Sequence, residues 1–70
     1  MPNVAAHITG TVVRIDKKPG DAVRPGETVV VLESMKMEMP VEAQAGGRVK
    51  EIRCQEGQAV SEGDVLLVLE

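Results

Sequence analysis

Few side chains in this seventy-residue sequence are placed to do chemistry. The stretch VVVLESMKMEMPVEA, residues 29–43, sets Lys36 between Met35 and Met37, with Ser34 and Glu38 outside them and strand-like apolar runs on either side. A surface turn ordinarily takes Gly, Asn, Asp or Pro, because those residues adopt positive φ cheaply or bond to their own backbone. Met-Lys-Met does neither. A lysine offers a primary amine, but a free ε-amine has a pKa of about 10.4 and is a protonated, poor nucleophile near pH 7. Its ionisable neighbours in sequence, Glu33 and Glu38, are carboxylates, which favour an ammonium beside them and are too weakly basic to take its proton. Lys36 is therefore not poised for covalent catalysis of its own.

The other reactive residues are isolated. Cys54 is the single cysteine, which excludes an internal disulfide and a cysteine-based metal site and fits a reducing compartment. His7 is the single histidine and has no second His or CxxC pair to make a metal site. Both read as structural residues, and no nucleophile–base pair marks an enzyme in its own right.

Composition bounds the remaining classes. Net charge is −3, Lys and Arg are scattered, and there is no Phe, Tyr or Trp on which bases could stack, so nucleic acid is not an expected partner. No apolar run approaches the roughly 20 residues that cross a bilayer, and Met1-Pro2-Asn3 lacks a basic stretch followed by an apolar one, so a cytoplasmic chain without membrane insertion is expected. The core must come from twelve Val, four Leu, three Ile and a few Ala and Met. β-Branched residues of this kind are stiff at χ1 and suit strands.

The elements that must position Lys36 emerge when the sequence is slid against itself by 37 places. Residues 4–33 then align with residues 41–70 without a gap, and twelve of the thirty pairs are identical, among them Gly10/Gly47, Val12/Val49, Gly20/Gly57, Val23/Val60, Gly26/Gly63 and Leu32/Leu69. Glycines and apolar residues match while charged positions drift, as expected of two halves that share a backbone path and a core. The first half predicts strands at 11–16, 22–23 and 28–33, separated by turns at KKPGD and RPGE; the second repeats them with QEGQ and SEGD. Gly20, Gly26, Gly57 and Gly63 supply the positive φ such turns need. No segment of ten residues has helical periodicity. The expected fold is all-β, one domain over residues 1–70, a flattened barrel or sandwich hybrid of two quasi-symmetric four-stranded halves about a pseudo-two-fold axis. Under that axis the counterpart of the 34–40 junction is the gap between the chain ends, which puts Lys36 at one end of the molecule and the termini at the other.

With these residues in place, ESMKME resembles the attachment motif of biotinyl domains, in which a lysine flanked by methionines lies at a tight hairpin between two symmetric half-domains. The surrounding KPGDAVRPGETVVVLESMKMEMPVEAQAGGRVKEI is similar to that family too. The resemblance spans nearly the whole chain and is closest to short biotin/lipoyl attachment proteins and to carrier domains of biotin-dependent carboxylases. It implies biotin joined by an amide to Lys36 through a biotin protein ligase, with Met35 and Met37 completing the site. It further implies a carboxyl group carried between a biotin carboxylase and a carboxyltransferase or decarboxylase, on a domain that is monomeric in isolation. The sequence departs from the family in reading AHITG, with His7 where many members have Pro, and the unbroken offset leaves no room for the protruding thumb of some bacterial carriers. Two alternatives stand beside this reading. Lipoyl domains share the fold but commonly place Asp before the lysine and Ala after it, and an unmodified hybrid-barrel interaction module has no need of a lysine between methionines.

Overall fold

The computed structural model describes residues 3–70, and Met1 and Pro2, on which part of the leader reading rests, lie outside them. The order of elements is β1 (Asn3–Ala5), β2 (Gly10–Ile15), β3 (Ala22–Val23), β4 (Thr28–Ser34), β5 (Met37–Glu42), β6 (Gly47–Ile52), β7 (Ala59–Val60) and β8 (Val65–Leu69). All are strands. They form two antiparallel four-stranded sheets, ordered β1-β8-β6-β3 and β5-β4-β2-β7. Adding 37 to β2 and β3 gives the bounds of β6 and β7, and the same operation turns one sheet order into the other. The expected all-β pair of quasi-symmetric halves is what forms.

The halves are also interleaved. In each sheet the central pair comes from one half of the repeat and the flanking strands from the other, so neither half could complete a sheet alone. Between the sheets lies a core of Val, Leu and Ala with Cys54, including Val12, Val29, Val30, Leu32, Val49, Leu66, Leu67 and Leu69, all 2% exposed or less, and no polar side chain is buried among the described residues. Each such Val or Leu contributes roughly 1.5–3 kcal/mol by leaving water.

Two pairs of irregularities, also related by the repeat, explain why the strands do not alternate in the sequence. The β4–β5 register passes over Val29 and the β1–β8 register over Leu66. A bulge adds one residue and lets two successive side chains face the same way, so Val29 and Val30 are both fully buried, as are Leu66 and Leu67. The second pair passes over Val13 between β2 and β4 and over Lys50 between β6 and β8. Pro40 is tolerated in β5 because that strand is a sheet edge.

Four turns of one design tie the halves together. In each, a glycine with φ of 85–94° occupies the third position, as a type II turn requires. The residue after it, Asp21, Glu27, Gln58 or Asp64, accepts a hydrogen bond on its side chain from the backbone N–H three residues earlier. The glycine N–H then donates across the repeat: Gly20 to the Val49 carbonyl, Gly57 to Val12, Gly26 to Ala43 and Gly63 to Ala6. The turn ending at Glu27 is also tied to Lys17, which donates to Glu27 at 2.6 Å and to the Ala22 carbonyl. The Lys17 hydrogen bond and that from the Arg24 backbone lower the Glu27 carboxyl below its ordinary value. At the equivalent place in the second half stands Cys54, buried, its thiol pushed up by desolvation.

Two outcomes are expected. Nothing lies within 4 Å of a Cβ built at Gly57, so Gly57→Val is destabilising through its backbone alone, by about 2 kcal/mol for a β-branched residue at positive φ; urea unfolding that matches the parent refutes the turn assignment. A lowered folded-state pKa stabilises above the unfolded value, and that contribution is lost as pH falls through the folded one. The parent's melting temperature should therefore fall as pH drops below about 4.5 more steeply than that of Glu27→Gln.

Candidate functional site

Lys36 sits where β4 turns into β5. Ser34 pairs with Met37, Glu33 with Glu38, and Leu32 with Met39, leaving Met35 and Lys36 as a two-residue hairpin loop. Their φ values are 54° and 65°, and among the described residues they are the only non-glycine ones with positive φ. Both signs are those of a type I′ turn, which matches the twist of paired strands and is normally built from Asn-Gly or Asp-Gly. The sequence places neither there. A left-handed conformation costs an L-residue roughly 1–2 kcal/mol, so the tip is held in a conformation that its own residues disfavour.

The hold comes from below. β4 is an inner strand of its sheet, bonded to β2 on one side and β5 on the other, and Val29 to Leu32 are buried along it. Below the tip, Leu32 faces Met39, Val31 faces Pro40 and Val30 faces Val41, and such apolar cross-strand pairs fix register. On the β2 side, a Cβ added at Gly10 would lie 2.5 Å from the Glu33 carbonyl oxygen, so glycine is what lets β2 close against the base of the hairpin. The repeat pair Gly10/Gly47 was the available sequence signal for this role, distinct from that of the turn glycines. At Gly47 the equivalent close neighbour is the Glu70 carbonyl oxygen. The hairpin and the C-terminus thus occupy corresponding places under the two-fold relation.

The surroundings of the amine are open. Lys36 is exposed, and Met35 and Met37, 91% and 61% exposed, flank it as an apolar collar, whereas Met39 is half-buried. Beneath them Glu33 and Glu38 stand directly opposite one another, a like-charge pair that is unfavourable by itself. Arg14 lies near enough for Glu38 to help raise its pKa, chiefly set by the 2.6 Å hydrogen bond to Asp16. The other lysines differ in setting: Lys17 is engaged with Glu27 and its side chain is 15% exposed, Lys18 opens a type II turn, and Lys50 lies at a bulge. His7 is exposed beside a groove lined also by Asn3, Val4 and Gln44, and it shares a second groove with Pro40 and Val41 of β5, not with the Met35-Lys36 loop. A group attached by an amide needs a projecting primary amine and no enclosing pocket, and the tip fits that requirement.

Residues 1–69 match the biotin/lipoyl family described as "Biotin-requiring enzyme", and the chain belongs to that family. It is 46% identical over 66 residues to the Biotin/lipoyl attachment protein of Bacillus subtilis (strain 168), covering 94% of this chain and 90% of that one. It is 48% identical over 61 residues to the mitochondrial propionyl-CoA carboxylase alpha chain of Homo sapiens, covering 87% of this chain and 8% of that one. Among solved structures, the lipoyl domain of the 2-oxoglutarate dehydrogenase complex from Azotobacter vinelandii superimposes with a TM-score of 0.73 at 42% identity, covering 89% of this chain and 78% of that one. The chain is a small attachment domain of the carrier type.

The strain at the tip is measurable. Met35→Asn puts a residue that tolerates positive φ at an exposed position, so stability in urea should rise by about 0.5–1 kcal/mol. An unchanged or lowered midpoint would show that the loop is not strained at this residue.

Proposed function

We propose that Lys36 is the acceptor of biotin and that the domain carries a carboxyl group between the sites of a biotin-dependent carboxylase. The observation that carries this reading is the placement of an exposed lysine between two exposed methionines on a two-residue hairpin, in a chain of the biotin/lipoyl family. Met on both sides favours biotin over lipoate, whose carriers commonly show Asp and Ala there, and a carboxylase chain is among the relatives.

In this reading the chain contributes an amine and its position. A biotin protein ligase brings activated biotin and the base; the Lys36 ε-amine forms the amide while Met35 and Met37, soft and unbranched, adapt to the ligase and later to the other partner surfaces. The rigid ladder beneath the tip lets a ligase separate Lys36 from Lys17, Lys18 and Lys50 by geometry, since charge is common to all four. Once bound, biotin supplies a ureido nitrogen that accepts and releases a carboxyl group, so the group's chemistry belongs to the cofactor. Tethering raises its concentration at a biotin carboxylase and at a carboxyltransferase, to the mM range for a short flexible linker. Such machinery works in the cytoplasm in this proposal, on a domain monomeric by itself.

The test combines two variants with the parent, each co-expressed with a biotin ligase and read by intact mass and thermal melting. Lys36→Arg should leave stability within about 0.5 kcal/mol and abolish the adduct. Exchanging Met35 and Lys36 keeps composition, charge and two non-glycine residues in the loop, and changes only which corner bears the amine. Biotinylation should collapse while the domain still folds. A biotin adduct on Lys36→Arg moves the site elsewhere, parental modification of the exchanged lysine removes the geometric account, and a lipoyl mass on the parent in a host with both pathways decides for lipoate.

A further inference from the structure

Resting on that reading of Lys36, we propose that Met35 and Met37 are a paired oxidation site for peroxide, and that their sulfoxides block loading of the lysine between them. Exposure singles them out. Their residues are 91% and 61% exposed, Met39 is half-buried further along β5, and Cys54, the one thiol, is 6% exposed. Burial also pushes the Cys54 thiol up, which keeps it from the thiolate form that peroxide attacks. The sequence has no Trp or Tyr to compete for oxidant. A two-electron oxidant therefore meets, on the described surface, two thioethers on either side of Lys36 before any other sulfur.

The reaction balances without a further partner. The thioether sulfur gives an electron pair to one oxygen of hydrogen peroxide, the O–O bond breaks, an S–O bond forms and water leaves; sulfur is oxidised by two electrons and peroxide is reduced by two. Each side chain passes from flexible and apolar to polar and chiral, a change that disrupts methionine-rich contacts and that methionine sulfoxide reductases reverse. The fold should be indifferent, because Met35 and Met37 stand outside the core cluster. The apolar collar around the amine should not be, since the same two side chains are what a ligase would meet.

The experiment treats the unmodified domain with hydrogen peroxide, maps added oxygen by fragmentation mass spectrometry, and follows biotinylation by a biotin ligase with ATP and biotin. Oxygen should appear on Met35 and Met37 well ahead of Met39, with Met1 read separately, and the melting temperature should not move. The doubly oxidised domain should load about tenfold more slowly or worse, the factor that an unpaired polar group brought into an apolar contact imposes. Methionine sulfoxide reductases A and B with dithiothreitol should restore the rate. Oxidation of Met39 at the rate of Met35 overturns the assignment of the site, and parental loading of the doubly oxidised domain overturns the block. If the untreated domain takes no biotin, it is the reading of Lys36 that fails, and the block with it, while the mass map still decides where oxygen is added.

Discussion

The exchange of strands between the two halves is the constraint on which everything else depends. Because β1 and β3 complete the sheet of β6 and β8, and β5 and β7 that of β4 and β2, the core cannot form until both halves are present. The four turn glycines donate across the same boundary, so the turns that end one half are pinned to the strands of the other. Cooperativity follows from topology here. A chain this small, without an aromatic residue, gains the burial it needs by making every strand face the one shared core.

The strained hairpin is the local expression of that constraint. A type I′ loop of Met and Lys would have little reason to persist alone, since two left-handed residues oppose it. It persists because β4 is an inner strand whose buried residues and bulge at Val29 fix the register of β5. Stability generated in the core is thereby expressed as one defined corner for the Lys36 amine. The opposed Glu33 and Glu38 carboxylates are a second local cost borne at the same place, with Arg14 near Glu38.

Much of this was legible in the sequence, and the reasons are specific. The type II turns could be read because Pro-Gly and Glu-Gly pairs carry their conformation in their chemistry, and the repeat doubled each signal. Strands β2, β3 and β4 fell within one residue of the segments at 11–16, 22–23 and 28–33. The flanking strands β1 and β5 were not placed: β1 is three residues long, and β5 contains Pro40 and follows a loop with no turn residue. The exchange of strands between sheets was invisible, because an internal repeat reports equivalence and not which copy pairs with which. Lys36 stood out by its neighbours and by the repeat, whereas the left-handed φ of Met35 contradicts what Met ordinarily does and could come only from the packing beneath it. Gly10 was visible as a matched glycine, but its reason, the approach of the Glu33 carbonyl, needed the third dimension.

The pairing of β1 with β8 repeats that of β5 with β4, yet only the second is joined by a loop. In effect the chain is a strand-swapped homodimer whose two subunits have been fused by a single covalent link. The strand pairings and the backbone bonds of the turn glycines have twins, and the link does not. Within these residues no loop joins β8 to β1, so the hairpin loop has no counterpart in the other sheet, although the scaffold that supports it is built twice. Circular permutation makes the same point: a chain closed through its present ends and opened between Met35 and Lys36 would keep both sheets and move the single link from the β4–β5 corner to the β8–β1 corner.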